Sequence, residues 1–149
     1  MNQVMSGGRP VAALDVGGTT IKGTIVAPDG TMSDGLVWST RAELGPDAVV
    51  TTIVDAAREL VASGAEAVGV VVPGMVIDGV ARYSANLGWR DVPLQRMLIE
   101  RLGVPAIIEH DVRAAGLAEA AASGHDDLML VVIGTGIANA TVIGGQVVR

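Results

Sequence analysis

The sequence predicts an α/β fold on a mixed sheet, with three antiparallel strands followed by β-α-β crossovers. Two observations carry that prediction. Sharp turns rich in Gly, Pro and Asp separate the first three apolar stretches, which makes them antiparallel neighbours. An amphipathic helical pattern then leads into the wholly apolar segment Ala67 to Val72, as expected for a central strand covered on both faces.

Strands are expected at Val11 to Val16, at Lys22 to Ala27, and within Met32 to Thr40. Pro46 opens a helix whose apolar face runs through Val50, Ile53, Val54, Ala57, Leu60 and Val61 and stops at Ser63-Gly64. The apolar strand that follows is bounded by Pro73-Gly74. Met75 to Tyr83 then reads as a short hairpin turning at Asp78-Gly79, and Asn86-Leu87-Gly88-Trp89 as an exposed loop. Pro93 begins a second helix, with Leu94, Met97, Leu98 and Leu102 on one side and Gly103 as its stop. Pro105 to Ile108 supplies another strand, and Asp111 opens a third helix ending near Ser123-Gly124. Leu128 to Ile133 and Ile137 to Ile143 close the chain as a second glycine hairpin. Residues 1–124 are expected to form a first lobe, and residues 125–149 the opening strands of a second.

Composition narrows the function classes. Half of the 149 residues are apolar and none is Phe, so the core must be aliphatic. With 16 acidic against 10 basic residues, the net charge of −6 argues against a nucleic-acid surface. The absence of Cys removes disulfides and thiolate metal sites, and agrees with a cytoplasmic location. The first residues show no secretory pattern. Leu128 to Val148 carries no charge and is long enough to cross a bilayer. Its Gly134, Gly136, Gly144 and Gly145, together with Thr135, Asn139, Thr141 and Gln146, instead favour turn-linked strands, so no membrane partner is expected.

The chemistry is concentrated where the first strand ends, at Asp15-Val16-Gly17-Gly18-Thr19-Thr20. Paired glycines let a backbone approach an anion closely, and nearby amides and hydroxyls can donate to phosphate oxygens. Asp15 would repel phosphate directly, so its natural partner is a magnesium ion bridging the two. The turn is not a P-loop, because no Gly-Lys-Ser/Thr follows and a strand replaces the helix. The competing role is an ordinary structural hairpin. An internal echo supports the functional role: Gly18 to Val26 aligns without gaps on Gly134 to Val142, which suits a two-lobed nucleotide clamp.

The motifs occur in a specific order. Asp15-Val16-Gly17-Gly18-Thr19 is followed by Val72-Pro73-Gly74 and Ser84-Ala85-Asn86-Leu87-Gly88-Trp89. Glu109-His110-Asp111-Val112-Arg113-Ala114-Ala115 comes next, with Ala118-Glu119, and Gly134-Thr135-Gly136-Ile137 completes the set. From Val11 to Arg149 the chain thereby resembles the ROK group of repressors and kinases, which includes bacterial glucokinases. The resemblance implies the ribonuclease H-like, actin-type ATPase fold and ATP-dependent phosphorylation of a hexose such as glucose. It also implies ATP and Mg²⁺ as cofactors.

Residue by residue, the resemblance makes Asp111 the catalytic base and Asp15 the indirect magnesium ligand. It puts Pro73, Gly74, Asn86 and His110 on the sugar surface, while the chemistry of the two glycine turns offers Gly17, Gly18, Thr19, Gly134, Thr135 and Gly136 to phosphate and ATP, with Lys22 able to reach phosphate. The residues alone leave other roles open. Asp111 is also a favoured type to cap a helix, Lys22 also reads as a solvated strand charge, and Glu119 as a solvent-facing helical position. His110 stands where many relatives carry Asn, and Ala138-Asn139-Ala140 replaces the further glycines frequent in glucokinases.

Family kinases continue well beyond this length, with a zinc site of Cys and His in many members. This chain has no Cys and is expected to hold no zinc. The isolated polypeptide is expected to be inactive or very weak, exposing apolar surface on its last hairpin that calls for a second copy or a carboxy-terminal lobe. Two alternatives to the kinase remain. One is the sugar-sensing core of a ROK regulator, disfavoured because only 14 residues precede Asp15. The other is a non-catalytic sugar-binding module.

Overall fold

The structure, a computed structural model, describes residues 8–134 and 136–148. Its contacts divide the chain into two compact units, one ending at Ile108 and the other starting at Glu109. The strands of the main sheet are β1 (Val11–Val16), β2 (Thr20–Val26), β3 (Leu36–Ser39), β4 (Ala67–Val72) and β8 (Ala106–His110). They lie in the order β3-β2-β1-β4-β8, with β1 antiparallel to β2 and parallel to β4. The mixed sheet and its β-α-β crossover are those read from the sequence.

One helix, α1 (Pro46–Ala62), forms that crossover and covers one face of the sheet. Val49, Val50, Ile53, Val54, Ala57 and Leu60 are buried on it, along with Ala12, Leu14, Val16 and Ile21 of the sheet. Each fully buried Ile or Leu contributes about 1.5–3 kcal/mol, which makes this aliphatic layer the main stabilising feature of the unit. Pro at the first helical position starts α1 where a missing N–H costs nothing.

A second, three-stranded sheet comprises β5 (Met75–Ile77), β6 (Val80–Ser84) and β7 (Trp89–Val92). Its first hairpin turns at Asp78 and Gly79, both with positive φ (50° and 75°), as the Asp-Gly pair predicts. The segment Asn86 to Trp89 corrects the expectation of an exposed loop. Asn86 and Gly88 are exposed, but Leu87 and Trp89 are buried, and the Trp89 indole N–H donates to the Pro46 carbonyl over 3.2 Å. A large aromatic gains most by burying its ring and keeping one hydrogen bond, so it ties the loop to the core. The following helix, α2 (Leu94–Leu102), has Pro93 as its cap residue and ends at Gly103, whose φ is 70°.

The second unit packs α3 (Asp111–Ser123) on the sheet β11-β10-β9, made of β9 (Leu128–Ile133), β10 (Ile137–Ile143) and β11 (Gln146–Val147). The sequence reading ended the first lobe at residue 124, whereas contacts group α3 with the second sheet. The reason lies in Gly116. A Cβ there would come 2.8 Å from Ala140 Cβ, so the helix reaches β10 only because that atom is missing. The opposite sheet face, with Met129, Val131, Ile133, Ile137 and Ile143, is exposed. Among the described residues no helix is long and apolar enough to cross a membrane.

Candidate active site

Alternation along β1 buries Ala12, Leu14 and Val16 and turns Asp15 to the open face. Asp15 pairs in register with Lys22 of β2, so the carboxylate and the ammonium emerge on the same side of the sheet, both exposed. Beyond them the chain turns through Gly17, Gly18 and Thr19. Gly17 N–H closes the turn by donating to the Thr20 carbonyl over 2.8 Å, and so is engaged within the protein. The N–H groups of Gly18 and Thr19 have no acceptor among the described residues and remain available to an anion.

Sequence reasoning missed the residue that holds this turn. Thr40, at the end of β3 and fully buried, donates its hydroxyl to the Gly17 carbonyl over 2.7 Å and its N–H to the Thr19 carbonyl over 2.9 Å. No periodicity marks Thr40, because its importance comes from pairing across strands.

Two expected sugar contacts converge on the same unit. A Cβ on Gly18 would lie 3.8 Å from Asn86 Cβ, which places the phosphate turn and the Asn86 loop in contact. Gly74, with φ at 109°, presses against the backbone of Tyr83 and Ser84, two residues before Asn86. The Pro73-Gly74 turn therefore buttresses the strand that presents Asn86. Ser84 is buried, and its hydroxyl has no partner among the described residues.

In the second unit, His110 occupies the cap position of α3 with extended backbone, and Asp111 is the first helical residue. This corrects the capping role considered for Asp111. Its carboxylate instead accepts the adjacent Val112 N–H over 2.7 Å and lies 3.1 Å from His110 Nε2. Its side chain remains 41% exposed, so it is open to an incoming hydroxyl. Behind it, Glu109 accepts the His110 N–H over 2.8 Å and sits 3.6 Å from the Arg113 guanidinium. Glu119 is exposed on α3, as read.

The second glycine turn parallels the first. Gly134 N–H donates to the Gly136 carbonyl over 2.9 Å, just as Gly17 closes its own turn. The echo is not exact in register, since Val16 pairs with Ile21 but Ile133 with Ile137, leaving the second turn one residue shorter. Thr135 lies outside the described residues.

A paired-glycine turn after a carboxylate-bearing strand, on a sheet with three antiparallel strands followed by a parallel crossover, is the arrangement of the ribonuclease H-like, actin-type ATPase fold. The model of the ROK family matches residues 11–149, and the chain belongs to that family. It is 34% identical over 140 residues to a glucokinase of Thermotoga maritima, covering 89% of this chain and 44% of that protein. A ROK family glucokinase from Streptomyces griseus, solved in complex with glucose and AMPPNP, superposes with a TM-score of 0.81 at 30% identity, over 94% of this chain and 46% of that one. A ROK family transcriptional regulator superposes with a TM-score of 0.84 at 18% identity, a likeness of fold. The chain spans about half the length of the curated relatives it matches.

Proposed function

We propose that this chain is part of an ATP-dependent ROK sugar kinase that phosphorylates a hydroxyl of a hexose such as glucose. The observation that carries the reading is the part-exposed Asp111 carboxylate at the start of α3, whose Oδ1 accepts the Val112 N–H while the side chain stays 41% exposed. The glucokinase relatives and the neighbour solved with glucose and AMPPNP support the choice of substrates.

In this reading Asp111 accepts the hydroxyl proton while the sugar oxygen bonds to the γ-phosphorus and the bond from that phosphorus to the ADP oxygen breaks. A carboxylate is a weak base toward a hydroxyl, so positioning and charge neutralisation supply most of the acceleration. Asn86 and the Pro73-Gly74 turn order the sugar hydroxyls. The free amides of Gly18 and Thr19, with Lys22, receive phosphate oxygens, and the Gly134-Thr135-Gly136 turn serves the nucleotide as well.

Asp15 fits a magnesium ion by its chemistry. It offers one exposed hard oxygen donor, and Mg²⁺ commonly takes one or two carboxylates, phosphate oxygens and several waters. No closed cluster of three or more metal-binding side chains occurs among the described residues, and that mode of binding needs none. Bound there, Mg²⁺ would supply neutralisation of phosphate charge.

As an isolated polypeptide of 149 residues, this chain is proposed to turn over little or no sugar. The test is a coupled assay of the native gene product with Mg-ATP across a hexose panel. We expect turnover on at least one hexose, and a loss in Asp111→Asn of about 10²–10⁴-fold in kcat with an unchanged thermal melt. Sugar binding without any turnover would favour the sensing core of a regulator, and full activity in Asp111→Asn would remove the assigned base.

A further inference from the structure

Ser84 ends β6, and its hydroxyl is the only buried side-chain polar atom without a hydrogen-bond partner among the described residues. Thr40, the other buried polar residue among them, spends its hydroxyl on the Gly17 carbonyl. Alanine would fill nearly the same space as Ser84 and bury no polar group, so packing gives no reason for a serine here. Its neighbours point to a use. A Cβ on Gly74 would lie 3.0 Å from Ser84 Cβ, and Asn86 follows two residues later, so Ser84 adjoins both elements assigned to the sugar.

Being sealed, the hydroxyl is out of reach of a ligand, and its partner must come from the chain. The turn at 85–88 offers one. It closes through the Gly88 N–H, which donates to the Ala85 carbonyl over 3.3 Å, with Gly88 at a φ of 66°. The Asn86 N–H takes no part in that closure and has no acceptor among the described residues. A serine oxygen accepting from the amide two residues on is a local turn that serine favours. Two unspent, complementary groups therefore stand at the sequence spacing at which they bond.

We propose that Ser84 is a positioning residue for the sugar: its hydroxyl oxygen accepts the Asn86 N–H when the sugar is bound, and this bond holds the Asn86 carboxamide against the sugar hydroxyls. The role rests on the kinase reading, which gives Asn86 its sugar. Asn86 is exposed, so water serves its amide while the site is open. A seated sugar excludes that water, and an amide and a hydroxyl left unpaired then both count against binding. The bond acts on how the sugar is held and not on proton transfer, so it is read in KM and not in kcat.

In the native gene product, assayed with Mg-ATP and the hexose it turns over best, Ser84→Ala is expected to raise the sugar KM about 3–10-fold, with kcat within about twofold of the unmutated protein. Without sugar the same variant should melt no more than about 2 °C below the parent, because alanine forfeits no existing bond. Amide hydrogen exchange gives the direct readout: saturating sugar should slow exchange at Asn86 about tenfold or more in the parent, and less than about threefold in Ser84→Ala. A smaller change in KM, equal protection of Asn86 in the two proteins, or a larger fall in the sugar-free melt overturns the proposal. The last result would place the hydroxyl in a bond already made without sugar. If no hexose is bound or turned over, the kinase reading fails and the role of Ser84 with it, whereas an unchanged KM in an active enzyme sinks the role of Ser84 alone.

Discussion

Gly74→Ala is the sharpest available perturbation of the loop that presents Asn86. The native φ of 109° lies in the region open almost only to glycine, which costs a side-chain-bearing residue about 1–3 kcal/mol. The added Cβ would also penetrate the Tyr83 carbonyl oxygen and stand 2.9 Å from Ser84 Cα, where ordinary contact begins near 3.4 Å. Both obstacles are backbone, so no rotamer change relieves them. Overpacking of that kind costs a further amount of about 1–3 kcal/mol. We therefore expect a loss of about 3 kcal/mol or more in denaturant unfolding, seen as a fall in Tm of about 6–12 °C for a chain of this size. Gly69→Ala serves as the control, because a Cβ at Gly69 meets nothing within 4 Å and its φ is not left-handed. The control should unfold within about 0.5 kcal/mol of the parent. If Gly74→Ala unfolds within about 1 kcal/mol of the parent, the turn does not buttress Tyr83 and Ser84 and the reasoning fails.

Other residues give independent tests. Thr40→Val keeps the buried volume but leaves the Gly17 carbonyl without its hydroxyl donor, and should cost about 1–2 kcal/mol in denaturant unfolding; no measurable loss would free the first glycine turn from its supposed clamp. Asp29 accepts both the Thr31 hydroxyl (2.7 Å) and the Thr31 N–H (2.9 Å), and these bonds hold its carboxyl below the usual aspartate range. The stability this contributes is present above the unfolded-state value and is lost as pH falls through the folded midpoint. A ¹³C titration should show the depressed midpoint, and Thr31→Val should raise it; an unmoved midpoint would refute the cause. The proposed base is tested by Asp111→Asn, with kcat falling as given above while folding is preserved.

Much of the chain was legible because local physics decided it. The Asp-Gly pair at 78–79 demanded positive φ, Pro46 opened α1, and the apolar Ala67 to Val72 became the central strand β4. Legibility failed where a residue's role depends on a partner remote in sequence. Trp89 looked exposed between polar neighbours, yet its indole finds the Pro46 carbonyl, 43 residues away. The strand β7 was missed for the same reason, since a four-residue run becomes a strand only when β6 pairs with it. Asp111 looked like a helix cap by residue type, but the chain enters α3 one residue earlier, at His110.

By itself the sequence determined the α/β class, the two glycine hairpins and the ordered motifs of the ROK family, because turn chemistry, strand alternation and helical periodicity are properties of neighbours along the chain. Tertiary structure alone decided that Thr40 closes the first turn, that Gly18 meets Asn86, and that Gly116 lets α3 lie on β10. Each of these is a contact across elements, set by how packed layers bring backbone and side chains within a few ångströms, and no local spacing encodes that distance.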